Sequence, residues 1–180
     1  VLLAISKSSL TRKNLTEAVE TTTEITAMVF MILLGSSIFS LVFRGFGGDD
    51  LITSIFAELP GGAFGAVLVV MVIIFLLGFI LDFIQITLVV VPIVGPALLM
   101  LGVDPIWLGI MIAINLQTSF LTPPFGFALF YLRGVAPDSL ATKDIYRGVI
   151  PFILIQLGVL IALAIFPELV TALPEAVYGS

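Results

Sequence analysis

The 180-residue chain is 60% hydrophobic and 11% charged, whereas soluble proteins carry about 25% charged residues, so an ordinary soluble domain is excluded. The chain has neither Cys nor His, which excludes disulfides, thiolate or imidazole metal sites and His-based acid–base catalysis. Its net charge of −5 is small and scattered, so the sequence indicates no nucleic-acid partner. The composition predicts a membrane protein.

The first part of the chain predicts a polar segment followed by a membrane span. The chain starts at Val1 without a basic leader before an apolar core, so we expect it to start in the tail of an earlier helix of a longer protein. The rest of residues 1–24 is polar, and either a cytoplasmic amphipathic arm or a solvated loop fits its pattern. Residues 25–43 form an apolar run of near-spanning length and predict a transmembrane helix.

A periplasmic loop with a short helix is predicted over 44–62, and the apolar segment that follows, 63–100, contains one charged residue, Asp82. As a single straight helix this segment would be about 57 Å long, nearly twice the ~30 Å hydrocarbon core of a bilayer. Polar and flexible residues interrupt its middle at Gly78, Asp82 and Gln85. The sequence therefore predicts a helical hairpin over 63–100 with its tip at these residues.

The basic residues favour this hairpin, because Lys and Arg concentrate on the cytoplasmic side of membrane proteins. If 63–100 doubles back, 105–132 and 145–166 become two further spans, and six of the seven basic residues lie inside. The tail 167–180, which carries two glutamates, is then periplasmic. Each hairpin arm has about eighteen residues, which is short for a full crossing, and the tip has no Lys or Arg, so a re-entrant hairpin is favoured over two full spans.

The stretch Asn115–Gly126 is polar and contains two prolines between strongly apolar flanks. Backbone that is not helical at membrane depth must be buried in protein or line a wet cavity. Because Pro123 and Pro124 disfavour helix at the residue before each of them, we expect Leu121 and Thr122 to be extended and to leave carbonyl groups uncapped. The span 105–132 is thus predicted to be a broken helix.

Hydroxyl groups crowd this break, at Thr118, Ser119 and Thr122. Together with free carbonyls they would form an oxygen cage suited to Na⁺, and transporters place such sites at broken membrane helices. Asn115 and Gln117 are further candidates for a substrate cavity or gate beside it. The alternative is a proline kink whose hydroxyls bond back to their own helix.

Asp82 is the single carboxylate within the hydrocarbon-length segments, and burying it requires a partner or a cavity. Two roles are open for Asp82 with Gln85: gating of a substrate at the hairpin tip, or capping of the second arm. A capping residue could also perform the gating role. Trp107 and Tyr131 are expected to be interface anchors. Catalytic constellations and phosphate-binding glycine loops are absent from the sequence, so we expect no enzyme.

Three motifs give a resemblance to a known family. Leu-Thr-Pro-Pro-Phe-Gly at 121–126, preceded by Asn115 and Gln117, resembles the signature near the C-terminus of the large membrane subunit of tripartite ATP-independent periplasmic (TRAP) transporters. Gly-Phe-Ile-Leu-Asp-Phe-Ile-Gln at 78–85 and Val-Pro-Ile-Val-Gly-Pro at 91–96 are similar to it as well. The order of span, hairpin, broken helix and final span also resembles the C-terminal repeat of this family.

The resemblance implies an all-α polytopic membrane protein that forms one repeat of an inverted-repeat transporter, with a re-entrant helical hairpin and a broken transmembrane helix. It implies Na⁺-driven uptake of a small organic acid by an elevator-type movement. By position, the Na⁺ ligands would be the backbone near Gly78, the Ser119 region, Thr122 and the carbonyl of Phe125. Ser119 departs from the Gly often found there, so its hydroxyl would add or replace a ligand.

The implied partners are a small membrane subunit, a periplasmic substrate-binding protein and the N-terminal half of the same subunit, in the bacterial inner membrane. Three alternatives remain open at this stage. They are a carboxylate carrier of the divalent-anion type that needs no binding protein, a channel, and a membrane scaffold subunit of a larger enzyme.

Overall fold

The computed structural model describes residues 11–123, 126–137 and 140–179, and all regular secondary structure in these ranges is helical. This confirms the prediction of an all-α polytopic membrane protein. Three helices are long and apolar enough to cross a membrane, and a fourth span arises if the pair α2 and α3, bent by 115°, counts as one. The helices are α1 (Arg12–Gly45), α2 (Gly48–Ala57), α3 (Gly62–Leu77), α4 (Phe83–Met100), α5 (Pro105–Leu121), α6 (Phe127–Val135), α7 (Thr142–Ile165) and α8 (Glu168–Tyr178).

Helix α1 joins residues 12–24 of the predicted arm to the predicted first span in one run of 34 residues, and residues 1–10 of that prediction lie outside the described residues. Thr11 caps it by accepting a hydrogen bond from Asn14 N–H at 3.1 Å. The threonines between arm and span do not interrupt the helix, because Thr22 and Thr23 donate their hydroxyl protons back to carbonyls four residues earlier. Most α1 side chains are exposed, while Ser36 is buried.

The segment predicted as a hairpin consists of α3, a turn over 78–82, and α4. The second arm contains a π-helical turn, Ile86–Val90, closed by a hydrogen bond from Val91 N–H to Ile86 O. Pro92 follows this turn directly and has no N–H to donate to the carbonyl of Leu88, four residues earlier. The last part of α4 packs against α2 and α3, so the two arms run back along each other.

The main core lies between the hairpin and α5. Ile74, Ile86 and Leu98 from the hairpin are fully buried, and they pack in one cluster with Leu108 and Ile112 of α5. Within a bilayer such a core is stabilised by van der Waals packing between the helices, because lipid tails are as apolar as these side chains. The hairpin and α5 are therefore one packed unit, which places the hairpin tip beside the end of α5.

Trp107 corrects one expectation from the sequence. Its side chain is buried, and its indole N–H donates to the carbonyl of Leu163 near the end of α7 at 2.7 Å. The residue four positions after Leu163 is Pro167, which has no N–H, so the indole replaces the hydrogen bond that the helix cannot supply. Trp107 is thus an internal tie between helices, whereas Tyr131 is exposed.

Candidate functional site

The hairpin tip and the broken helix meet at Gly78 and Ser119, both of which are buried. A Cβ atom added to Gly78 would clash with the Ser119 hydroxyl and lie 2.8 Å from the Ser119 Cβ. No side chain fits at position 78 without a shift of one of these two backbones. Two of the residues predicted to form a Na⁺ site are therefore in direct contact.

All three hydroxyls of the predicted cage donate to carbonyls of α5 itself. Thr118 Oγ1 donates to Ile114 O at 2.7 Å, Ser119 Oγ to Leu116 O at 2.9 Å, and Thr122 Oγ1 to Thr118 O at 2.7 Å. This is the back-bonding expected of a simple proline kink. Because a hydroxyl has one proton and two lone pairs, each of these oxygens still has acceptor capacity for a cation.

The helix ends one residue later than we expected. Leu121 is the last helical residue, and only Thr122 is extended, with φ −84° and ψ 125°. The expectation for Leu121 was wrong because Pro123 restricts only the residue directly before it, which is Thr122.

The carbonyls at the break are also less free than predicted. Thr118 O accepts from the Thr122 hydroxyl, Ser119 O accepts from Thr122 N–H at 3.1 Å, and Thr122 O accepts from Gly126 N–H at 3.0 Å. A carbonyl oxygen has two lone pairs, so one hydrogen bond leaves each of them able to bind a cation as well. The expected uncapped cage is corrected to a hydrogen-bonded turn with remaining acceptor capacity.

Gly126 closes this turn by a close backbone approach. A Cβ atom at this position would lie 2.7 Å from Phe120 O and 3.0 Å from Thr122 O. Glycine is therefore required here for space, as its place in the motif suggests. Phe125, whose carbonyl the resemblance implies as a ligand, lies outside the described residues.

Asp82 and Gln85 form a capping box at the start of α4. The Gln85 side-chain oxygen accepts the backbone N–H of Asp82 at 3.2 Å. Of the two roles considered for Asp82, the structure shows the capping role. The cap also fixes the chain direction directly after the tip, four residues after Gly78.

The two amide candidates on α5 lie on different faces. Asn115 is 4% exposed, and its Nδ2 donates to the carbonyl of Met71 in α3 at 2.8 Å. Gln117 is exposed and lines a cleft of about 510 Å³ between α4 and α5, whose wall also includes Phe83 and Thr87. The structure therefore groups Asn115 with the buried Thr118 and Ser119, and separates Gln117 from them.

Sequence reasoning missed the carbonyl of Met71 as the partner of Asn115. The signal was an amide in an apolar helix, which must find a hydrogen bond when it is buried, but the helix register that selects the carbonyl is not visible in the sequence. In the part of the chain that the structure describes, no group of three or more Asp or Glu residues could hold a metal ion. We call the contact between Gly78 and Ser119, together with Thr122 three residues further along the chain, the clasp. Its groups that can bind a cation are backbone and hydroxyl oxygens.

Comparison with known proteins identifies similar sequences over nearly the whole chain. The model of the family "Tripartite ATP-independent periplasmic transporter, DctM component" matches residues 1–169. The chain is 27% identical over 96% of its length to the sialic acid TRAP transporter large permease protein SiaM of Vibrio cholerae. It is 29% identical over 99% of its length to the ectoine/5-hydroxyectoine TRAP transporter large permease protein UehC of Ruegeria pomeroyi.

A third relative matches a shorter part. The 2,3-diketo-L-gulonate TRAP transporter large permease protein YiaN of Escherichia coli is 34% identical over 57% of this chain and 24% of its own length. The matches cover 40% of SiaM and 41% of UehC. The chain thus spans about two fifths of the length of these curated relatives.

Proposed function

Because this chain belongs to the DctM-component family of tripartite ATP-independent periplasmic transporters, we propose that it is the Na⁺-binding C-terminal repeat of a large permease subunit. In this proposal the whole protein takes up a small organic acid across the bacterial inner membrane by Na⁺ symport. A periplasmic substrate-binding protein delivers the acid, and a small membrane subunit and the N-terminal half of the large subunit complete the transporter. Relatives named for sialic acid and 2,3-diketo-L-gulonate support an organic acid as the substrate class.

The observation that carries the proposal is the contact of Gly78 with Ser119. It joins the tip of the hairpin to the break in α5, so a cation held by the Ser119 and Thr122 oxygens would also hold the tip. Release of the cation would loosen the tip without disturbing the apolar core below it. Na⁺ binding can thereby be coupled to closure over a substrate, before an elevator-type movement of the unit.

The start of α6 supports a carboxylate-bearing substrate. Its N-cap is Gly126, which brings no side-chain oxygen to the first N–H groups of the helix. The start of α4, by contrast, has the Asp82 carboxylate at its cap. A substrate carboxylate is therefore expected at α6, because the N-terminal end of a helix favours negative charge and Asp82 would repel it at α4.

The test is Thr122→Val in the full-length transporter. Valine keeps the shape and removes the hydroxyl, so we expect the Na⁺ concentration for half-maximal uptake in proteoliposomes to rise about tenfold, which corresponds to ~1.4 kcal/mol. Thr22→Val is the matched control, because Thr22 makes the same 2.7 Å bond to a carbonyl four residues earlier but lies in α1. An unchanged Na⁺ dependence in Thr122→Val would contradict the proposed site.

A further inference from the structure

Helix α8 has three distinct faces. Val170, Thr171 and Pro174 are partly buried, and Val170 packs against the main core cluster. Glu168 and Glu175 are exposed on a second, polar face. A third face presents Leu169, Leu173 and Val177, which follow one another at four-residue spacing and are 66%, 72% and 63% exposed. These three residues are called the apolar stripe below.

The position of α8 along the bundle follows from the Trp107 tie. The bond from Trp107 to Leu163 O places the start of α5 and the end of α7 at the same level. Helix α8 begins three residues after α7 ends, and it packs back against α5 and α7. It therefore lies at the end of the bundle where α5 begins and α7 ends.

The apolar stripe continues an exposed apolar surface at the end of α7. Helix α7 is one of the candidate spans, and only 11% of its most apolar window is buried. Ile161, Ile165 and Phe166 at its end are exposed apolar residues, directly before α8. With 11 residues, α8 is about 16 Å long and cannot cross the ~30 Å hydrocarbon core.

We propose that α8 lies flat in the membrane–water interface, with the apolar stripe inserted among the lipid acyl chains and the two glutamates in water. An amphipathic helix held in this way has one face in lipid and one in solvent, and α8 adds a third that packs on the protein. The occupant of the stripe is the lipid surface itself. The match to the family model ends at residue 169, within the first turn of α8, so this helix lies almost entirely beyond it.

The charge of α8 indicates which lipids it prefers. The helix has two glutamates and no Lys or Arg. Its insertion therefore depends on the apolar stripe alone and gains nothing from anionic headgroups, unlike the basic interfacial helices that bind such membranes electrostatically.

Nitroxide scanning of the full-length transporter in lipid vesicles tests the proposal. This chain has no Cys, so once any cysteine elsewhere in the transporter is replaced, single cysteines can be labelled at Leu169, Leu173 and Val177 and, as matched controls on the polar face, at Glu168 and Glu175. We expect stripe labels to collide more with oxygen than with a water-soluble nickel chelate, and control labels to show the reverse. Using three stripe positions protects the test against one variant that fails to fold.

Two results would overturn the proposal. Stripe labels that are protected from both reagents would show that protein covers the stripe, and stripe labels open to the nickel chelate would show that it faces water. The lipid preference is tested by comparing phosphatidylcholine vesicles with vesicles that also contain phosphatidylglycerol. We expect the stripe labels to lie equally deep or less deep in vesicles with the anionic lipid. Deeper labels there would contradict insertion that depends on the apolar stripe alone.

Discussion

The two ends of α5 use polar residues in opposite ways. At the N-terminal end, Asp104 accepts the Trp107 N–H at 2.7 Å, and the Trp107 indole donates to Leu163 O in α7. At the C-terminal end, the hydroxyls of Thr118, Ser119 and Thr122 donate to carbonyls of α5 itself. The first arrangement ties α5 to another helix, while the second leaves oxygen lone pairs near the hairpin tip.

This difference separates structural polar groups from candidate ligands. The Trp107 indole has no acceptor capacity for a cation, and its single N–H already donates to Leu163 O. A hydroxyl that has already donated its proton locally can still accept a cation. Substitutions at the N-terminal end of α5 should therefore affect stability, and those at the C-terminal end should affect ion dependence.

The largest effect is expected for Gly78→Ala. The new methyl group would overlap the Ser119 side chain, so the tip cannot seat against α5, and Na⁺-driven uptake should fall more than tenfold. Combining it with Ser119→Gly removes the overlapping atoms, and part of the uptake should return. Gly158→Ala is the control, because nothing lies within 4 Å of a Cβ at that position. Uptake that survives Gly78→Ala unchanged would show that the contact does not matter for transport.

A smaller effect, on stability alone, is expected for Trp107→Phe. Phenylalanine keeps the aromatic ring but leaves Leu163 O without the indole, and Pro167 cannot replace that donor. Leaving a buried carbonyl unpaired costs about 1–3 kcal/mol. Thermal unfolding of the purified transporter should shift downward, while the Na⁺ concentration for half-maximal uptake stays the same. A change in Na⁺ dependence with unchanged stability would contradict the assignment of the N-terminal end of α5 to stability and of its C-terminal end to ion binding.

Parts of this arrangement were predictable from the sequence, and the reasons are physical. The length of 63–100 against bilayer thickness, together with the basic residues, predicted a hairpin, and the polar and flexible residues from Gly78 to Gln85 predicted its tip. In the structure, Gly78 lies against Ser119. The hydrogen bond from Trp107 to α7 was not predictable, because it depends on which carbonyl of α7 lies beside the start of α5 in the folded chain. The same limit hid the carbonyl of Met71 as the partner of Asn115.

Asn115 combines features of both ends of α5. It lies one turn before Ser119, near the proposed ligands, but like Trp107 it donates a hydrogen bond to another helix. Asn115→Leu keeps the size and removes the 2.8 Å bond to Met71 O, so we expect a loss of about 0.5–1.5 kcal/mol in stability. Since the bond sets the register of α3 against α5 just below the clasp, the Na⁺ affinity should fall about twofold, less than for Thr122→Val. If Asn115 instead binds substrate, the half-saturating substrate concentration would rise while thermal unfolding and Na⁺ dependence stay unchanged. Measuring all three quantities on one preparation therefore decides whether Asn115 belongs with Trp107 as a tie or with the ligands of a transported molecule.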